Sequence, residues 1–181
     1  MIFTRFISAA LITILALGGL PDATLAQSTA SIPTALTETY GQWVVRCVTP
    51  QTADGASPAA LICQMSQELR QEKSGKRILA LSVQPKADIS EASLRLIVPF
   101  GLLLSEGVKV AVDESALLEV GFRTCLPAGC IVATDMTADQ MGKLAAGNVA
   151  VVMMRDVNNQ ELSISVSLSG FTAAWNRLKD F

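Results

Sequence analysis

The chain reads as a mainly β protein: an antiparallel β-sandwich or partly open barrel with one short internal helix and a C-terminal helix. Three observations carry that reading. Short apolar runs recur between turn signals from Trp43 onward. One of them alternates strictly, with Leu162, Ile164, Val166 and Leu168 set against Ser163, Ser165, Ser167 and Ser169, the period of a strand with one buried and one wet face. And the four cysteines flank local turns rather than scattering through the chain.

Taken in order, residues 1–26 have the layout of a secretory signal. Arg5 is followed by an uncharged apolar stretch to Leu20, then Pro21-Asp22, and small residues up to Ala26 place the cleavage before Gln27. The apolar run is short against the twenty or so residues that cross a bilayer, and no later segment is longer, so membrane association is at most peripheral. Residues 27–40 are rich in Ser, Thr and Ala and read as a flexible lead-in. Residues 41–181 then form a single domain, and the ~155 residues left after cleavage are enough for one real core.

Strands are expected over 43–49, 61–69, 77–83, 93–98, 107–112, 117–124, 130–134, 149–155 and 161–168. The runs 78–83 and 149–154 are apolar almost throughout, which predicts central strands covered on both faces. Asn158-Asn159 predicts a hairpin joining the last two strands. Thr137-Ala138-Asp139-Gln140 is a capping box flanked by Met136 and Met141 at hydrophobic-staple positions, and Gly147 is placed to end that helix in the left-handed conformation. In the C-terminal helix Phe171, Ala174, Trp175 and Leu178 share one face. Trp43, Phe122, Phe171 and Trp175 are expected in the core.

The four cysteines, Cys47, Cys63, Cys125 and Cys130, allow three pairings. Local context favours Cys47–Cys63, around Asp54-Gly55, and Cys125–Cys130, around Leu126-Pro127-Ala128-Gly129. Neither spacing is C-x-x-C, and both fit a zinc site poorly. The signal and the even cysteine count together predict a periplasmic, extracellular or outer-surface location.

Composition removes several chemistries. There is no histidine, so Ser-His-Asp and Cys-His hydrolysis and most zinc enzymology are out of reach. A net charge of −2 with no basic patch argues against nucleic acid. Glycines form neither a dinucleotide fingerprint nor a P-loop, Ser74 and Ser90 lack an S-x-x-K context, and no cofactor is implied. Asp113-Glu114 and Asp135 with Asp139 are the carboxylates a hydrolase could use, but aromatic platforms for a sugar are scarce. No catalytic, cofactor or metal residues are therefore assigned. Ile97-Val98-Pro99-Phe100-Gly101-Leu102-Leu103-Leu104 is an apolar segment broken by Pro99 and Gly101. Its Pro99, Phe100, Leu102 and Leu103 either pack into the core or meet a partner. The rarity of large exposed apolar patches favours the core.

Several segments together resemble the invasion-associated locus B family of exported bacterial proteins. They are Trp43-Val44-Val45-Arg46-Cys47, Cys63-Gln64-Met65, Val98-Pro99-Phe100-Gly101-Leu102 leading to Gly107-Val108, the run from Phe122 to Cys130 with its C-x-P-x-G-C element, and Val166-Ser167-Leu168-Ser169-Gly170-Phe171. The resemblance covers nearly all of the chain after the signal. It implies an exported envelope protein, some of whose relatives are associated with entry into host cells, and it carries no catalytic residues. The resulting expectation is a binding or structural envelope module with an envelope or host protein as partner and an accessory role in host-cell invasion. The alternatives are an envelope hydrolase using the carboxylates above, and a periplasmic chaperone or inhibitor offering the 99–104 loop to clients.

Overall fold

The structure, a computed structural model, describes residues 35–50 and 61–181. The signal segment 1–26 and the turn at Asp54-Gly55 lie outside the described residues. The elements run β1 (Ala35–Tyr40), β2 (Trp43–Val48), β3 (Ile62–Arg70), β4 (Arg77–Pro85), β5 (Ala92–Val98), β6 (Val108–Val112), β7 (Ser115–Val120), β8 (Thr124–Leu126), β9 (Gly129–Met136), α1 (Ala138–Ala146), β10 (Val149–Arg155), β11 (Glu161–Ser167) and α2 (Phe171–Leu178). A seven-stranded sheet has the order β1-β2-β3-β4-β5-β9-β8, and a four-stranded sheet the order β11-β10-β6-β7. All pairings within both sheets are antiparallel. This is a sandwich of two sheets, not a closed barrel.

One apolar core joins the sheets. Val45, Met65, Leu79, Val83, Leu96 and Val132 come from the large sheet, and Val108, Val152 and Val166 from the small one, all essentially fully buried. The residual void among them, about 30 Å³ between the sheets and beside both helices, has room for no more than one water, so the interior is a packed core rather than a ligand chamber. Helix α2 closes one end with Phe171, Ala174, Trp175 and Leu178 all buried, as their helical spacing predicts. Trp43 meets Phe171 edge to face, ring centroids 5.0 Å apart at 89°, a geometry worth about 0.5–1.5 kcal/mol beyond the area it buries.

Four features depart from the sequence reading. Residues 35–40, read as the end of a lead-in, form the edge strand β1, paired along its length from Ala35↔Val48 to Tyr40↔Trp43. Its composition is polar, and part of what holds it is distant in sequence: Arg177 of α2 donates to both oxygens of Glu38, at 2.7 and 3.2 Å. The run 117–124 is not one strand. It breaks at Gly121, so that β7 ends the small sheet and β8 begins the edge of the large one. The apolar strands β4 and β10 are central, but each buries one face fully while the other is partly exposed. Finally, Gly147 ends α1 in an extended conformation, φ −82° and ψ 169°, not a left-handed one. A Cβ at this position would collide with the Val112 side chain, so glycine serves close packing of the helix end on β6.

The local signals otherwise hold. Thr137 and Gln140 form the capping box reciprocally, with Met136 and Met141 buried beneath it. Asn158-Asn159 turns β10 into β11, with Asn159 at φ 60°. Of the alternating serine strand, Val166 and Leu168 are buried, but Leu162 is exposed because β11 is the edge of the small sheet.

Candidate functional site

Both disulfides join direct cross-strand partners. Cys47 lies opposite Cys63 on β2 and β3, and Cys125 opposite Cys130 across the β8–β9 turn. All four cysteines are thereby paired, and no free thiol remains. Among the described residues no cluster of carboxylates and cysteines is arranged to hold a metal.

Of the candidate carboxylates, Asp113, Asp135 and Asp139 are each engaged by a local partner. Asp113 and Glu114 are the two positive-φ residues, 43° and 70°, of the β6–β7 hairpin turn. Such a turn requires both central residues to have positive φ. The Asp113 carboxylate accepts from the backbone N–H of Asn148 (2.9 Å) and of Val149 (3.0 Å), and these bonds hold it below the usual carboxylate range. Asp139 pairs with Lys143 one turn along α1. Asp135 accepts from Lys86 Nζ at 2.8 Å and from the Ser93 hydroxyl at 2.9 Å, and both lower its pKa. The serines are likewise turn residues: Ser74 donates to Gln71 and Ser90 to Asp88. No two of these acids face each other across a cleft in the way hydrolysis with paired carboxylates requires.

Two surface features stand out. The first is the loop after β5. Leu102 is buried at 8% exposure, whereas Phe100 stands 60% exposed, and Leu103 is half-buried beside the exposed Pro99. The expectation that Phe100 packs inward is therefore overturned, while that for Leu102 holds. The cause is backbone pairing with the β10–β11 turn. Leu102 bridges Asp156, Leu103 N–H donates to Arg155 O at 2.9 Å, and Val157 N–H donates to Gly101 O at 3.0 Å. With Leu102 pinned inward, the turn at Pro99–Gly101 carries Phe100 outward. Val157, 62% exposed, is bonded beside it, and Leu104 and Leu126 are exposed at the same end of the sandwich.

The second feature is a cleft of about 310 Å³ on the solvent side of the large sheet. Its lining includes Gln64, Ser82, Gln84, Ser93, Arg95 and Arg123; Gln64 and Arg123 fall within segments that carry the family resemblance, and the sequence picks out none of the six as a candidate site residue. The signal that could have found them is the outward-facing half of the strand period: Ser82 and Gln84 on β4, and Ser93 and Arg95 on β5, alternate with Leu81, Val83, Leu94 and Leu96. What no pattern in one strand can reveal is that the register places these residues side by side, Gln84 opposite Ser93 and Ser82 opposite Arg95.

The relatives agree with the fold. The family described as "Invasion associated locus B (IalB) protein" matches residues 43–179. An invasion protein B homologue of Brucella abortus (strain 2308) is 31% identical over 154 residues, spanning 83% of this chain and 84% of its own. Invasion protein B of Bartonella bacilliformis is 35% identical over 159 residues, covering 83% and 80% respectively. The crystal structure of invasion associated protein B from Bartonella henselae superposes with a TM-score of 0.68 at 34% identity, covering 80% of this chain and 95% of that one. The family match spans both disulfides, the exposed Phe100 loop and the β10–β11 turn that holds it, and on this ground the chain belongs to the invasion-associated locus B family.

Proposed function

We propose that this is an exported cell-envelope protein whose work is to bind a protein partner, in the envelope or on a host cell, through the loop carrying Pro99, Phe100, Leu102 and Leu103. The single observation that carries the reading is Phe100, held 60% exposed on a turn whose backbone is fixed by the two hydrogen bonds of the Leu102–Asp156 bridge to the β10–β11 turn. An aromatic ring kept rigidly in water forgoes about 1.5–3 kcal/mol of burial. It loses little further entropy when a partner covers it, which is the economy of an interface anchor. Export is supported by the charged, apolar and small-residue layout of residues 1–26. The invasion association is supported by the relatives' names, and the disulfides suit an oxidising compartment. Asp113, Asp135 and Asp139 are each held by backbone, Lys86 or Lys143, and this arrangement lends no support to a hydrolase.

The test is cross-linking of a tagged protein in intact cells of its own bacterium, with and without host cells, read by mass spectrometry. One dominant envelope or host protein is expected, and Phe100→Ser should abolish its capture while leaving Tm within a degree or two, since the ring is largely in water. Leu102→Ala, in contrast, should cost about 2–5 kcal/mol of stability. Recovery of the monomer alone over several linker lengths, or capture unaffected by Phe100→Ser, would overturn the reading.

A further inference from the structure

The cleft on the large sheet lies away from the Phe100 loop. Ser93 and Arg95 stand in the first half of β5, whereas Phe100 follows its end. Its shape follows from side-chain size. Ser82 and Ala133 flank Arg95 on the neighbouring strands, and Ser93 lies between Gln84 and Asp135 in the adjacent row. Small residues form the floor, and the longer Gln64, Gln84, Arg95 and Arg123 rise around it.

Its charge is the informative part. The one carboxylate in the lining, Asp135, already has an oxygen on Ser93 and the other on Lys86. Lys86 is in turn shared with Glu91 at 3.5 Å. Among the described residues neither Arg95 nor Arg123 makes an ion pair or a side-chain hydrogen bond. Two guanidinium groups without an ion-pair partner among the described residues therefore share one cleft of a chain whose net charge is −2. A guanidinium presents a planar fork of donors that matches an oxyanion. The amides of Gln64 and Gln84 and the hydroxyl of Ser82 supply donors and acceptors for hydroxyl groups. No aromatic ring lines the cleft, so it offers no stacking platform to a neutral sugar or an apolar ligand.

We propose that this cleft binds an oxyanion carried on a hydroxyl-rich ligand, with Arg95 and Arg123 holding the anionic group and Gln64, Ser82 and Gln84 the hydroxyls. The chemistry is that of a sugar acid or a sugar phosphate, and a volume of 310 Å³ suits one or two such rings.

The test titrates the full mature protein with glucuronate and with glucose 6-phosphate, using glucose as the uncharged twin, and follows backbone amide shifts by NMR. At least one anionic probe should bind more tightly than about 1 mM, with shifts confined to the strands that line the cleft, and rising salt should weaken it. The stronger of the two identifies the oxyanion as carboxylate or phosphate. Arg95→Gln and Arg123→Gln, both at exposed positions where folding is not at risk, should each lower the affinity about tenfold. Arg95→Lys, which keeps the charge and loses the fork, should recover only part of it. Absence of cleft shifts with both anions, equal shifts with glucose, or binding unchanged in both glutamine variants would overturn the proposal. Neither result bears on Phe100, so this inference and the partner-binding reading stand or fall separately.

Discussion

Where the chain crosses itself, single atoms decide the structure. The β1–β2 turn at Gly41 lies against the junction of β11 and α2 at Gly170, and Gln42 N–H donates to Ser169 O at 3.1 Å. Gly170 has φ +89°, and a Cβ there would run into the Tyr40 carbonyl. Gly170→Ala therefore suffers twice, from about 1–2 kcal/mol of left-handed strain and from overlap with backbone that cannot yield without moving β1. We expect a loss of about 3 kcal/mol or more, measurable by urea unfolding; a loss under 1 kcal/mol would mean that the crossing is loose. The buried Gln67 completes this corner. Its Nε2 donates to Gln42 O and Ser167 O at 3.1 and 3.3 Å, and Trp43 Nε1 donates to the same Ser167 carbonyl. Three elements distant in sequence are thus tied at one point.

At the scale of elements, the structure rests on local rules wherever a turn or cap is short. Thr137 both caps α1 and starts the capping box, through Gln140 N–H to Thr137 Oγ1 at 3.3 Å and Thr137 N–H to Gln140 Oε1 at 2.9 Å. Thr137→Ala should cost about 1 kcal/mol, and Thr137→Ser should restore most of it, as read from thermal or denaturant midpoints. These elements were legible in the sequence because the interacting groups lie within a few residues of one another. The same holds for the Asn158-Asn159 hairpin and for the Cys125–Cys130 pair. Strand β1 was not legible, because Leu36 and Tyr40 are its only large apolar residues and its ion-pair partner Arg177 is 139 residues away. The break at Gly121 was missed for a related reason. One apolar stretch serves two sheets, and only the partner strands distinguish its halves.

Over the whole molecule, acid should act through carboxylates that the fold keeps ionised. Arg177 and then the Tyr40 hydroxyl lower the pKa of Glu38, the backbone at Asn148 and Val149 that of Asp113, and Lys86 and Ser93 that of Asp135. A lowered folded-state pKa means that the unfolded chain binds more protons in the window between the two values. The stability is then complete above the ordinary carboxylate values, near 4, and is lost as pH falls through the lower folded ones. Thermal midpoints should be flat from about pH 7 to 5 and should decline below about pH 4. Glu38→Gln should lower the neutral-pH midpoint and shallow the acid limb. A midpoint that rises on acidification would contradict the assignment. Because Glu38 and Arg177 join β1 to α2, the first structure lost in acid should be the edge and end of the sandwich rather than its centre.

The sequence by itself determined the β-rich class, most strand positions and both helices, favoured the two cysteine pairings that the structure makes, and pointed to the family. The family came from the resemblance of its motif segments, and the rest is encoded by period, spacing or short-range turn chemistry, signals that survive without knowledge of the partner strand. Only the tertiary structure decided that Phe100 points outward while Leu102 points inward, that β1 completes the large sheet, and that Arg95 and Arg123 share a cleft. Those outcomes depend on pairing between distant segments: residues 101–103 with 155–157, β1 with α2, and β5 with β9. A side chain's surroundings in a sheet are set by the register of its neighbours, and that register is a property of the assembled sandwich rather than of any one strand.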